Sequence, residues 1–319
     1  MSVLVTGGTG FIGAALVRLL LERGEKDVVA FHRNPTKKTL DDVADGVVLV
    51  QGDLGIFSHV LEVVKNYRPR IIYHMGAMLT IPSDVDPPAA FQTNVAGIFH
   101  ILEAARLFDV NQVLFASSIG SYGLDVQSEV IDDYTVQRPL SMYGVSKVFG
   151  ENLGRYYRLR YGLDFRSLRY PGIIGPGFRT PSLAQYASQI IEESVKGRRL
   201  TLQMAPDSKF PLLYFKDAAL AMIKLAEAPA MNIKMVNYLL NGIEPLKTAQ
   251  ELVGMVKVRL PEARLTFDPD PGLTKIYYGM RPFDDHCARE EWGWEPEYDH
   301  ERLMDDFIYE LKQYPERYL

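Results

Sequence analysis

Through the first half of the chain, short continuous apolar runs alternate with longer segments of helical period. Residues 3–5, 28–31, 47–50, 71–74 and 113–116 are β-branched-rich, too short for helices, and read as buried strands. Between them, residues 12–22, 60–66, 89–108 and 142–161 repeat apolar positions every three or four residues, the spacing of helices with one buried face. Strand and helix in alternation imply right-handed crossovers and a parallel sheet covered on both faces, a doubly wound α/β architecture of the Rossmann type.

From residue 171 the spacing loosens, and loops rich in Pro and Gly appear at 172–182 and 269–272. The pattern predicts a dinucleotide-binding domain over 1–170, with a later segment near 215–240 returning to it. A smaller α/β substrate lobe is expected over most of 171–319, with residues 305–312 a helix packed on it. No internal repeat or low-complexity stretch argues for a solenoid or a linker.

With 319 residues, 47% of them hydrophobic, the chain can bury a large core without staples. The net charge of -5 is spread in mixed signs, with no basic block to track nucleic-acid phosphates or an anionic membrane, so neither is an expected partner. Cys287 is the sole cysteine, expected as a small buried thiol, and a reducing cytoplasm is the expected setting. No apolar run approaches the ~18 residues of a membrane span. The N-terminus has no basic leader and holds four glycines between Gly7 and Gly13, so the chain is expected to begin near Met1 with no secretory signal.

Gly7, Gly10 and Gly13 directly follow the first strand and open the first helix. Gly7 permits the tight turn, Gly10 lets a pyrophosphate approach the backbone, and Gly13 lets helix and strand pack closely. The helix N-terminus adds free N–H groups and partial positive charge. A nicotinamide dinucleotide is therefore expected, with Phe11, Ile12 and Gly76 also lining its site. His32 and Arg33 end the second strand, where NAD-selective sites carry a carboxylate; with Lys37 and Lys38 nearby, the charge pattern leans to NADP over NAD. A solvated loop arginine is the plain alternative. Asp53 and Leu54, after the third strand, are positioned to meet the adenine, unless Asp53 is a helix N-cap.

Tyr143 and Lys147 stand four apart at the start of a helical segment, so both project from one face. An ammonium beside a phenol favours phenolate, which is expected to draw the Tyr143 pKa down and let it exchange a proton with a substrate oxygen. Ser117 and Ser118 end the strand at 113–116, at the sheet edge where such folds bind ligands, and Ser118 can hold the same oxygen. Six histidines show no metal-ligand spacing, no metal is expected, and His74 reads as a satisfied interior residue. No nucleophile elbow or paired carboxylate points to hydrolysis.

TGGTGFIG at the start, SSIGSYG over 117–123 and YGVSK over 143–147 together resemble the extended short-chain dehydrogenase/reductases, along the whole chain. The resemblance implies catalytic roles for Ser118, Tyr143 and Lys147, support from Asn94 in FQTNVAG, and a cofactor surface that reaches Tyr170. SLRYPGIIGPG from Ser167, SKFPLLYFKDA from Ser208 and DDHCAREEWGWEPEYD from Asp284 are most similar to the short-chain L-threonine 3-dehydrogenases. Phe210 stands where sugar-nucleotide enzymes carry an arginine for the diphosphate. Thr80 resembles a small hydroxyl residue that contacts substrate in the threonine enzymes. The chain departs from those enzymes at residues 183–186, Leu-Ala-Gln-Tyr in place of Thr-Thr-Asp-Tyr, and at His32 in place of aspartate. Arg179 is a further candidate anchor for a substrate carboxylate, or else a solvent-facing arginine.

The expected function is hydride transfer to or from a small polar hydroxy or oxo substrate. The runner-up is a sugar-nucleotide epimerase or dehydratase that returns its hydride within one turnover. A cofactor-sensing binding protein is the third reading, against which stands the presence of both Tyr143 and Lys147. The resemblance also implies a homodimer formed through the helices at 89–108 and 142–161.

Overall fold

The computed structural model describes residues 2–36 and 38–318. In chain order the first half runs β1 (Val3–Thr6), α1 (Phe11–Glu22), β2 (Val28–His32), β3 (Val47–Gln51), α2 (Phe57–Tyr67), β4 (Ile71–His74), α3 (Thr80–Val85), α4 (Pro87–Ala90), α5 (Gly97–Leu107), β5 (Gln112–Ser118), α6 (Met142–Tyr161) and β6 (Asp164–Tyr170). The remainder runs β7 (Gly172–Ile174), α7 (Gln185–Val195), β8 (Arg199–Leu202), β9 (Leu212–Tyr214), α8 (Phe215–Glu227), β10 (Asn237–Leu239), α9 (Ala249–Arg259), β11 (Arg264–Phe267), α10 (Pro271–Tyr278), α11 (His286–Trp292), α12 (His300–Gln313) and α13 (Pro315–Tyr318).

Seven parallel strands form the central sheet in the order β10-β6-β5-β4-β1-β2-β3. The chain leaves β1 toward β2 and β3 on one side, then crosses back to β4 and onward, so a crevice opens above the β1/β4 junction. Side-chain alternation builds a core on each face. Val3 and Val5 of β1, Val28 and Ala30 of β2, and Leu114 and Ala116 of β5 join α1 and α8 on one face. Leu4, Val29, Phe31, Val113 and Phe115 meet α2 and α5 on the other.

Two strands of this sheet escape the apolar pattern because their polar residues are paired inside the fold. In β6, Arg166 gives hydrogen bonds to Leu225 O at 2.6 Å and Ala228 O at 2.7 Å, and Ser167 Oγ donates to Asn237 Oδ1 of β10 at 2.7 Å. Beyond the sheet lie two short parallel pairs, β7 with β9 and β8 with β11, with the later helices around them.

Two predicted helices differ in form. Residues 89–108 are not continuous: α4 runs into a wider π-helical turn, Phe91–Ala96, before α5 begins. The turn falls where β-branched Thr93 and Val95 flank Asn94, whose side chain is engaged elsewhere. Residues 305–312 lie within the longer α12, which starts at a real cap: Asp299 accepts from Arg302 N at 2.8 Å.

Candidate active site

The glycine turn is a cradle that side chains would fill. Gly7 has φ +66°, a Cβ at Gly13 would overlap the Gly7 carbonyl, and one at Gly10 would stand 3.0 Å from that same oxygen. Thr9, 4% exposed, has a hydroxyl without a hydrogen-bond partner inside this loop. An orphaned donor in a backbone cradle at the start of α1 fits the diphosphate of a dinucleotide. Phe11 stacks on Phe215 at 5.6 Å and meets Phe178 at 5.0 Å, closing one wall of the turn, while Ile12 packs toward the core.

Beside it, a cleft of about 110 Å³ has Gly7, His32, Arg33, Asp53, Leu54 and Gly76 among its lining residues. His32 Nδ1 accepts from Asn34 N at 3.1 Å, and burial, followed by the nearby Arg33, lowers its pKa, so its imidazole is neutral at pH 7. Arg33 and Lys38 are exposed, and Lys37 lies outside the described residues. Asp53 is not the N-cap of α2, which is Ile56; its carboxylate accepts from Gly55 N at 2.8 Å and fixes a turn at the cleft wall.

Asn94 sits on the π-helical turn, buried. Its Nδ2 donates to Met78 O at 2.9 Å and its Oδ1 accepts from Met78 N at 2.8 Å, which pins the loop after β4. That loop leads into α3 at Thr80, and Asp84 of α3 accepts from Met142 N at 2.9 Å at the start of α6.

α6 begins at Ser141, which accepts from Gly144 N at 3.0 Å, and its first turns carry Tyr143 and Lys147. Gly120 marks where the groups converge: a Cβ there would lie 3.4 Å from Ser118 Oγ and 3.5 Å from Tyr143 Cδ1. Lys147 Nζ lies 5.2 Å from the Tyr143 ring centroid and donates to Ala116 O at 2.6 Å. The same ammonium is 4.8 Å from the Phe115 ring, which stacks at 5.7 Å on His74. His74 in turn meets Thr6 Oγ1 at 2.7 Å, one residue before the glycine turn. A continuous chain of contacts thus joins the turn to Lys147.

The expected drop in the Tyr143 pKa is not seen. Burial raises it to about 12, with hydrogen bonding to Ser118 as the opposing influence. Burial also lowers Lys147 to about 7, against an upward push from Glu151. Desolvation is the largest influence on both groups, and composition and spacing alone do not disclose it.

Two predicted residues face elsewhere. Tyr170 is buried, and its hydroxyl donates to Ala218 O at 2.6 Å in the core. Arg179 Nη1 holds Glu192 at 2.8 Å, and its Nη2 donates to the Tyr318 carbonyl, so its guanidinium is engaged by the protein itself. Cys287 is buried. Among the described residues no cluster of three or more His, Cys, Asp or Glu is arranged to hold a metal, and no helix is long and apolar enough to cross a membrane. The sequence reading missed Glu151 and Arg169, a buried ion pair behind Lys147. The available signal was the repeat of functional positions at 143, 147 and 151, one helical turn apart.

Residues 3–238 match the NAD dependent epimerase/dehydratase family. The chain is 34% identical over 307 residues to the mitochondrial L-threonine 3-dehydrogenase of Bos taurus, spanning 95% of this chain and 80% of that protein. Among solved structures it is similar to a GalE-like L-threonine dehydrogenase from Cupriavidus necator in its holo form. That structure has 27% identity and a TM-score of 0.88, covering 98% of this chain and 100% of the other. It is also similar to a monomeric L-threonine 3-dehydrogenase of metagenomic origin, at 25% identity and TM-score 0.87, covering 98% and 99% of the two chains.

Proposed function

The chain belongs to the NAD-dependent epimerase/dehydratase family, and from that premise we propose that it is a dehydrogenase or reductase of a small polar hydroxy or oxo substrate resembling threonine, working through Ser118, Tyr143 and Lys147. The nicotinamide cofactor supplies the hydride acceptor or donor. Around it, the backbone of the glycine turn and the N-terminus of α1 hold the diphosphate, and His32, Arg33, Asp53 and Leu54 receive the adenosine end. Arg33 and Lys38, with a neutral His32 in place of an acid, favour a 2′-phosphate and hence NADP.

Tyr143 exchanges the proton on the substrate oxygen, and Ser118 orients that oxygen. A phenol raised to about 12 is protonated at neutral pH, ready to act as acid toward a carbonyl. In the oxidative direction it must first lose its proton, and the Lys147 ammonium beside its ring favours that loss. Thr80, at the start of α3 beside α6, is a substrate contact. Arg179 serves the substrate only by exchanging Glu192 for it. The exposed apolar residues Phe99 on α5, and Val145, Phe149 and Tyr156 on α6, support pairing of two copies through these helices. A reducing compartment such as the cytoplasm suits the single buried thiol.

The observation that carries this reading is the convergence of Ser118, Tyr143 and Lys147 at the strand ends beside a glycine turn with no room for a Cβ. Its test is an absorbance screen of purified protein with NAD and NADP separately, against L-threonine, related hydroxy acids, short ketones and UDP-sugars. Net reduction or oxidation of the cofactor with a small hydroxy or oxo compound supports the reading. Conversion of a UDP-sugar with no net absorbance change replaces it with the epimerase chemistry of the same family.

A further inference from the structure

Glu151 lies one helical turn beyond Lys147 and two beyond Tyr143, so the three share a face of α6. It is 1% exposed, and donors surround its carboxylate. Arg169 Nη2 gives a bond to Oε2 at 2.7 Å and Nε bonds both oxygens, while Ser117 Oγ donates to Oε1 and Gln137 Nε2 to Oε2. Ser117 precedes Ser118 at the end of β5, and Arg169 stands near the end of β6. One carboxylate therefore ties the helix bearing Tyr143 and Lys147 to the strand end bearing Ser118. A buried ion pair is weak evidence of stabilisation in itself, so its location invites a functional account.

We propose that Glu151 is a positioning residue: clamped by Arg169 and Ser117, it fixes the spacing of Ser118 and Lys147 and sets a carboxylate one helical turn from the Lys147 amine. This deepens the Ser118–Tyr143–Lys147 reading and rests on it. The groups facing Lys147 are the neutral His74 from β4, the Tyr143 and Phe115 rings, and Glu151 on its own helix. Behind Glu151 stand Arg169 of β6 and, past it, Tyr122 and Asp133 from the segment between β5 and α6. Of these, Glu151 is the one that pushes the Lys147 pKa upward, against burial.

The test reads Lys147 directly and needs neither substrate nor cofactor: a pH titration by NMR of protein carrying 13C at lysine Cε, with Lys147 assigned from Lys147→Arg. Glu151→Gln, which removes the charge and keeps the shape, is expected to lower the Lys147 midpoint by about one unit. Arg169→Gln, which leaves the carboxylate without its cation, is expected to raise it. Opposite shifts from the two ends of one ion pair do not arise from loosened packing. Should Glu151→Gln fail to fold, Arg169→Gln still reports the upward shift. Midpoints unmoved in folded variants, or moving the same way in Glu151→Gln and Arg169→Gln, overturn the inference. Turnover of Tyr143→Phe, measured alongside, separates the two levels. An inactive Tyr143→Phe with an unmoved Lys147 overturns the role of Glu151 alone; an active Tyr143→Phe overturns the site reading and the inference together.

Discussion

His74 ends β4 with its ring buried between Phe115 and Thr6, and burial, then the charge of Lys147, pulls its pKa from 6.5 to about 3. Between those values the unfolded chain binds a proton that the folded chain refuses. This group's contribution to stability is therefore present above pH 6.5 and is lost progressively as pH falls toward 3. His74→Asn keeps a hydrogen-bonding partner for Thr6 and does not titrate, so its melting temperature should fall less than that of the parent over that window. Parallel melting profiles would reject this. At the adenosine end, Arg33→Ala should weaken NADP binding by about tenfold or more, the size of a lost charge-assisted hydrogen bond, while NAD stays within about threefold. Fluorescence titration of both cofactors measures it, and equal loss would refute the NADP preference. At this scale the pairing of Tyr143 with Lys147 was legible, because four residues on a helix fix which side chains are neighbours. The protonation of the pair was not, because desolvation depends on everything packed around it. Nor was the direction taken by Tyr170 or Arg179, which is settled by a partner distant in sequence, Ala218 for one and Glu192 for the other.

Elements were legible where an apolar run or a helical apolar period was unbroken by polar residues. Strands β1 to β5 and helices α1, α2 and α6 stand where the apolar period puts them, within a few residues at their ends. β6 and β10 were missed for an identifiable reason. Arg166, Ser167, Arg169 and Asn237 are polar yet buried, each satisfied by a neighbour, and a hydropathy pattern cannot see a partner. The short strands β7 to β9 offer too few residues for any period to register. The π-helical turn at Phe91–Ala96 was likewise invisible, although Asn94 itself was singled out. Its two hydrogen bonds to the Met78 backbone hold the loop that lines the crevice. Asn94→Ala leaves the part-buried N–H and C=O of Met78 unpaired, which costs up to about 1–3 kcal/mol for each unsatisfied group. The variant is expected to melt lower in calorimetry and to bind cofactor more weakly. A melting temperature and affinity equal to the parent's would show that the loop is held by something else.

Over the whole molecule, strand order determines what the residues can do together: only because β4 lies beside β1 does the glycine turn stand close to the ends of β4 and β5. Helix α13 packs back on the same half, since Arg317 holds Asp41 at 2.6 Å. Val145, Phe149 and Tyr156 leave an apolar stripe along α6 that a second copy would cover. Size-exclusion chromatography with light scattering should find twice the chain mass for the parent and a single chain mass for Phe149→Glu; a monomeric parent would contradict this. The broad architecture followed from the alternation of the first half, while the second half, built from short strands and long loops, disclosed few of its elements. The central claim is that Tyr143 exchanges a proton at a substrate oxygen beside a nicotinamide held by the glycine turn. Steady-state turnover of Tyr143→Phe, paired with its cofactor dissociation constant, tests that claim most directly. The account predicts a fall in kcat of about 10²–10⁴-fold with cofactor affinity nearly unchanged. Turnover within a few-fold of the parent, at saturating cofactor, would contradict it.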